Sequence, residues 1–320
     1  MFLKLRVDFR YHQIRKSNTG LDFRKRGSYC RRIDNAVDLT NLSQPERLQH
    51  VLRLLETRDY VQVAELSQAF AVSEVTIRSD LGQLARQGLV ARIRGGARAL
   101  QHGQSEVGFD LRMRLEVDAK RAVARAAAEM VDEGEAVALD ASTTAYYLAL
   151  ELCAKRELVV VTNGLLVATA LADAPGITVL LTGGVLRLSA MSLVGDLGTD
   201  VLRTTRINKG FLGARGLSLP RGLMDLNPDE VRIKQEMADA CDQVYGIFDG
   251  TKWHRSALLA FVATEDLAGV VTDSSAPTDE VNAWRDFGVD VVVVDPAPQE
   301  PLPVRPRDLR RAVRNEEAVG

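Results

Sequence analysis

The chain is short of what would mark a secreted, membrane-bound or metal-dependent protein. It has three cysteines in 320 residues, Cys30, Cys153 and Cys241. They have no metal-ligand spacing and no evident partner, so reduced thiols are expected. No uninterrupted apolar run approaches the roughly 18 residues that a membrane span needs. The opening MFLKLRVDFRYHQIRK also lacks the apolar stretch of a signal peptide. A cytoplasmic location is therefore expected, with no metal, no cofactor and no membrane partner. Net charge is scarce too, at −2, which argues against a protein that coats nucleic acid nonspecifically.

What charge there is lies unevenly. Residues 1–44 carry 10 Lys and Arg against 4 Asp, whereas the chain after Leu100 is acidic by about ten charges. Length allows a small domain plus one of roughly 180–200 residues with a core of its own. Hydrophobic residues make up 46% and charged residues 26%, as in an ordinary folded protein.

The most legible stretch is Val61–Ala97, VQVAELSQAFAVSEVTIRSDLGQLARQGLVARIRGGA. Val63, Leu66 and Phe70 fall three and four apart, and so do Ile77, Leu81 and Leu84, which predicts two helices with one buried face each. Only Phe70–Ser73 separates them, room for a sharp turn alone. Ser73 suits an N-cap, because its hydroxyl can accept from an otherwise unpaired N–H of the first turn. Glu74, Thr76, Arg78 and Ser79 then face outward from the second helix, an arrangement that fits the DNA major groove. After Gly88, Leu89–Ile93 and Gly95-Gly96 predict a hairpin wing with Arg92 and Arg94 outward and Ile93 inward. Those two guanidinium groups are candidates for phosphate or minor-groove contacts.

The wording of this stretch closely resembles the DNA-binding segment of the DeoR family of bacterial transcription regulators. The resemblance lies in the Val-Ser turn, Thr76-Ile77-Arg78, Asp80-Leu81, Gly88-Leu89, and Arg92 with Gly95-Gly96-Ala97. It implies a winged helix-turn-helix and operator DNA as partner. Two positions depart from the family pattern: Ser79 stands where a second Arg is usual, and Arg94 where a His is common. Losing one Arg removes a phosphate or base contact.

Around this segment, Pro45 opens a helix with Leu48, Val51, Leu52 and Leu55 on one face. Residues 1–44 are expected to be a basic, disordered leader, 45–100 the DNA-binding domain, and 101–130 a linker and connecting helix. That connection comprises the polar QHGQSEV and one helical stretch from Phe109 to Met130, with Val123, Ala127 and Met130 along one side. Residues 131–295 form the second domain and 296–320 a disordered tail.

In the second domain the periodicity changes. Strand-length apolar segments recur at 136–140, 158–163, 177–182, 210–214, 244–249, 268–273 and 289–295, mostly separated by helix-like stretches. That alternation predicts a doubly wound, mostly parallel α/β sheet. LVVVT and DVVVVD have the Val density of strands buried on both faces. Ligands in such sheets sit past the carboxyl ends of the strands, which singles out four loops. Asp140-Ala141-Ser142-Thr143-Thr144 puts hydroxyls and free N–H groups at a helix start, an anion site or an ordinary cap. Thr182-Gly183-Gly184 permits close backbone approach to a ligand, or is a plain turn. Glu230 and Lys234 lie four apart on one helix face, as site residues or as a surface ion pair. Lys252, in Asp249-Gly250-Thr251-Lys252, can reach a phosphate or sugar oxygen.

These loops carry a second resemblance to the same family. LDASTTAYYLALEL, VVVTNG, VLLTGG, SLVGDL, FLGARGL, DEVRIKQ, FDGTKW and VVTD occur in the order of the DeoR effector domain, so the combined resemblance spans about residues 45–295. It implies a sensor related to ribose-5-phosphate isomerase, a homo-oligomer, and a catabolic operon whose repression is relieved by a phosphorylated sugar or polyol. By the same resemblance Ser142, Thr143 and Thr144 hold the phosphate, while Asp140, Gly183, Gly184, Glu230, Lys234 and Lys252 surround the sugar. Ala141 stands where a Gly is frequent and fits only if its φ is negative.

The rival expectation is an isomerase-like or deaminase-like enzyme with a DNA-binding domain attached. Isomerisation needs a carboxylate base and groups that stabilise an enediolate. FLGARGL lacks the acidic cluster that the isomerases place in the equivalent loop, and ring opening would want a histidine where only His254 is at hand. Glu230 remains a conceivable base, but no catalytic residue is expected.

Overall fold

The computed structural model describes residues 39–40, 42–58, 60–86, 89–99 and 108–296. Most of the basic leader, the QHGQSEV linker, Gly88 and nearly all of the tail lie outside them.

The first domain comprises α1 (Gln44–Thr57), β1 (Tyr60–Gln62), α2 (Val63–Phe70), α3 (Glu74–Arg86), β2 (Val90–Ile93) and β3 (Gly96–Ala99). The Ser43 N–H donates to the Glu46 carboxylate at 2.7 Å and starts α1. The three apolar stripes meet in one core: Val51, Leu52 and Leu55 of α1, Val63, Leu66 and Phe70 of α2, and Ile77, Leu81 and Leu84 of α3. Beneath them the Arg47 guanidinium donates to Asp80 at 2.9 Å, with the carboxylate 1% exposed. Ala71 takes the left-handed conformation (φ 52°) that ends α2, and the Ser73 hydroxyl accepts from the Thr76 N–H at 3.1 Å as the cap of α3. The wing has one more strand than the hairpin expected, because β1 pairs with β3 to give the order β1-β3-β2.

The connection is not one helix. It breaks into α4 (Phe109–Met113) and α5 (Val117–Glu129), with Glu116 between them at φ 47°. A non-glycine residue in that left-handed region ends a helix outright.

The second domain follows as β4 (Ala136–Leu139), α6 (Thr143–Leu152), β5 (Leu158–Thr162), α7 (Leu165–Leu171), β6 (Ile177–Leu181), β7 (Val185–Arg187), β8 (Ser192–Val194), α8 (Thr199–Thr204), β9 (Ile207–Leu212), β10 (Gly216–Ser218), β11 (Gly222–Asp225), α9 (Pro228–Asp239), β12 (Cys241–Ile247), β13 (Leu259–Val262), β14 (Gly269–Asp273), α10 (Thr278–Phe287) and β15 (Asp290–Val294). All seven expected strands form one sheet, order β15-β14-β12-β9-β4-β5-β6, parallel throughout. Alternate residues feed two cores. Val137 and Leu139 pack with α5, α6 and α7, whereas Ala138 faces the core that contains α8, α9 and α10. Two small antiparallel sheets, β7-β8 and β10-β11-β13, have no counterpart in the sequence reading. Among the described residues no helix is long and apolar enough to cross a membrane, and no cluster of His, Cys, Asp or Glu is arranged to hold a metal.

This topology locates the site. The chain runs outward from β4 through β5 to β6, then returns to β9 on the other side of β4 and runs outward again. The reversal lies between β4 and β9, and the loops past their carboxyl ends, 140–142 and 213–215, flank the crevice where such sheets bind ligands.

Candidate functional site

Two surfaces gather the chemistry: the outer side of α3 with the wing, and the crevice at the β4/β9 reversal.

On the first, Ser73, Glu74, Arg78, Ser79, Arg92 and Arg94 are exposed and Thr76 is half-buried. Arg78 pairs with Glu74 one turn away at 2.5 Å, both side chains about half exposed. Arg92 does more than face solvent, because its guanidinium donates to the Arg78 carbonyl at 3.0 Å and ties the wing to α3. Ile93 does not turn inward as expected; it is 39% exposed. Sheet pairing explains this, since β3 contributes Ala97 to the core and Ile93 sits at the hairpin tip opposite Gly96. Val75, 72% exposed, adds an apolar contact point on the α3 face.

The crevice is built around a buried lysine. Lys234 Nζ lies 3.0 Å from Asp140 Oδ2 and 2.8 Å from Asp225 Oδ2, and donates to the Gly213 carbonyl at 2.8 Å. Asp140 is fully buried; its Oδ2 accepts the Gly213 N–H at 2.9 Å and its Oδ1 the Ser142 N–H at 3.1 Å. One ion-pair cluster thereby stitches the β4 loop, the β9 loop, β11 and α9 together. Burial alone would push the Lys234 ammonium down, but Asp225 and Asp140 outweigh it and hold it above the usual lysine range. For Asp225, burial acts upward and is overcome by Lys234 and Arg215, which bring its carboxyl down to about 2.

Beside this cluster α6 begins. The Ser142 hydroxyl accepts from the Ala145 N–H at 3.1 Å, so it caps the helix, and Thr143 and Thr144 follow in the first turn. Ala141 does not have a positive φ, so the departure from Gly is tolerated there. Two adjoining cavities share Arg112, Ser142, Gly213, Ala214 and Arg215. The first also touches Glu230 and Lys234, the second Lys120, Thr143, Thr144, Asp249 and Lys252. Gly213 is required, because a Cβ there would lie 2.4 Å from that of Ser142. Lys252 lies 3.8 Å from the Asp249 carboxylate. Burial raises the Asp249 pKa, but Lys252, Lys120 and two bonds from Thr251 hold it below the usual range.

Glu230 and Lys234 are not the surface pair that their spacing allowed. Both are buried and take different partners: Glu230 accepts from Arg187 at 2.5 Å and from the Ser192 hydroxyl. Gly183 and Gly184 line neither cavity. They do permit close approach, but to backbone: a Cβ on Gly184 (φ 124°) would meet the Val194 carbonyl at 2.3 Å, and Gly198 sits against the Gly183 carbonyl. Residue reasoning missed Asp225 and Arg215, and it left Arg112 and Lys120 inside the connecting helix without a site role. The one available signal was Arg215 inside FLGARGL.

Comparison with known proteins agrees with this division. Residues 47–102 match the "DeoR-like helix-turn-helix domain" and residues 115–274 the "DeoR C terminal sensor domain". The "Uncharacterized HTH-type transcriptional regulator YulB" of Bacillus subtilis is 34% identical over 249 residues, 78% of this chain and 96% of that protein. The "Glycerol-3-phosphate regulon repressor" of Escherichia coli is 29% identical over 248 residues, 78% of this chain and 98% of that protein. A solved ribose 5-phosphate isomerase A from Neisseria gonorrhoeae aligns over 42% of this chain and 52% of its own at 16% identity and a TM-score of 0.32, a likeness too slight to carry function. On the two domain matches and near-full-length relatives, this chain belongs to the DeoR family of transcriptional regulators.

Proposed function

We propose that this protein represses a carbohydrate catabolic operon and releases its operator when a phosphorylated sugar or polyol fills the crevice between the β4 and β9 loops. The observation that carries the reading is the convergence of Arg112, Lys120, Arg215 and Lys252 on the amino-terminal turn of α6. That turn has its own partial positive charge, and Ser142, Thr143 and Thr144 offer donors to phosphate oxygens. Asp140, Glu230 and Lys234 lie next to it and suit the hydroxyls of a sugar. Gly183 and Gly184 drop out of the ligand set and serve packing.

On the DNA side, Arg78 and Thr76 address the major groove, with Ser73, Glu74 and Ser79 beside them, while Arg92 and Arg94 reach phosphates or the minor groove. A homo-oligomer sets two or more α3 helices on repeated half-sites. Relatives point the same way, since one bears the name of a glycerol-3-phosphate regulon repressor.

Catalysis fits the crevice poorly. A general base must be free to take a proton at neutral pH. Asp140 and Asp225 are committed to Lys234, and Glu230 to Arg187 and Ser192.

The test is a mobility-shift titration on the DNA upstream of the protein's own gene with a panel of sugar and polyol phosphates. One compound should release the complex at concentrations where its unphosphorylated form does not. Absence of DNA binding at low salt overturns the proposal.

A further inference from the structure

The segment 109–116 is shared by two cores. Leu111 and Leu115, 4% and 2% exposed, are packed into the DNA-binding domain with Val51, Leu52 and Leu55. Arg112 lies between them in sequence, is 8% exposed, and lines both halves of the sensor cavity beside Ser142. Toward the DNA-binding domain, Gln49 donates to the Arg114 carbonyl at 3.1 Å and Arg53 meets Glu116 at 2.5 Å. Toward the sensor, the Tyr147 hydroxyl donates to the Met113 carbonyl at 2.9 Å. The Lys120 ammonium donates to the carbonyls of Arg112 and Leu115 at 2.6 and 2.5 Å, is 3% exposed, and lines the half of the cavity that holds Thr143 and Thr144.

We propose that Arg112 and Lys120 bind the anionic group of the effector, and that through them the filled cavity acts directly on the segment that seats the DNA-binding domain. This rests on the phosphate reading above. An ammonium has three donors, and two of those on Lys120 hold one backbone carbonyl in α4 and one just after it. A phosphate dianion beside Ser142 competes for that ammonium and loosens its hold on both carbonyls. With five residues, α4 is too short to persist unaided, and the left-handed Glu116 leaves no helical continuity with α5. The segment cannot shift without moving Leu111 and Leu115, and therefore the DNA-binding core. Sensing and seating share two side chains, so no longer relay is needed.

The experiment uses full-length protein on operator DNA with inorganic phosphate and glycerol 3-phosphate as probes, each against sodium chloride at equal ionic strength. Thermal stabilisation by the probe and release of DNA are read separately. Arg112→Gln should need about tenfold more probe than the wild type for both responses, each measured against its own probe-free state, with Arg112→Lys in between. Glu116→Gly keeps the backbone conformation, relaxes the hinge, removes the Arg53 tie to the DNA-binding domain and leaves the cavity intact. It should be stabilised by probe like the wild type but release DNA several-fold less readily. Lys252→Ala is the control for the cavity itself. If Lys252→Ala loses the responses while Arg112→Gln keeps them, this inference falls and the phosphate reading stands. Wild-type release by Glu116→Gly overturns the transmission step. A wild-type protein indifferent to both probes and to every phosphate of the panel above overturns the phosphate reading and this inference with it.

Discussion

Both halves of the molecule collect cations, and they hold them in opposite ways. On the DNA-facing surface Arg78 is about half exposed and its Glu74 partner equally so. In the sensor Lys234 is 6% exposed, wedged between Asp140 and Asp225. An exposed guanidinium loses little by exchanging a carboxylate for a DNA phosphate, and salt screens it in either state. A buried ammonium between two carboxylates can exchange nothing without leaving charge uncompensated. The α3 surface suits contacts made and broken in solution, and the crevice is a fixed framework of the kind the proposed ligand would need.

That contrast can be broken first at Lys234. Lys234→Met should lower stability by about 3–5 kcal/mol, because two buried carboxylates then face each other without a counter-ion. Urea unfolding checks it, and a loss near zero would make the lysine dispensable to the framework. Asp225 gives a pH version. Its folded-state pKa, about 2 against a usual 3.8, means that its contribution is complete above about pH 4 and is lost as pH falls toward 2. Worth about 2 kcal/mol at neutral pH, it should make the wild type exceed Asp225→Asn in urea midpoint at pH 7, with the gap closing on acidification.

On the exposed side, Arg78→Ala should cost about 1–3 kcal/mol of operator affinity and lower the slope of affinity against salt by about one. Thermal stabilisation by phosphate compounds should be unchanged. Equal loss of DNA and effector binding would contradict the separation of the two surfaces. The smallest effect belongs to Glu74→Ala. Losing an exposed one-turn pair should shift stability by only a few tenths of a kcal/mol, while freeing Arg78 should raise operator affinity in a mobility shift.

Local periodicity made much of this fold legible. Val63, Leu66 and Phe70, and then Ile77, Leu81 and Leu84, sit at helical spacing and are all buried. The Val-rich LVVVT became β5, an inner strand largely covered on both faces, whereas DVVVVD became β15 at the sheet edge, where Val293 is left 40% exposed. What escaped depends on partners distant in sequence. Asp225 ends the four-residue strand β11 and acquires its meaning only from Lys234 on α9. Gly183-Gly184 did signal close approach, but spacing alone does not distinguish a ligand from the Val194 carbonyl. Nothing in LEVDAK announces that Glu116 takes φ 47° and splits the connecting helix. Burial, likewise, is not encoded in an interval of four, so spacing alone left Glu230 and Lys234 open between site residues and a surface pair, whereas the fold buries both.

Division of labour is the central claim, and Lys252 tests it from the sensor side. The measurement is a mobility shift of Lys252→Ala on operator DNA, titrated with a sugar phosphate that releases the wild type. The variant should bind the operator with wild-type affinity and stay bound at concentrations that free the wild type. Release at the wild-type concentration, or loss of operator binding together with the response, would contradict it.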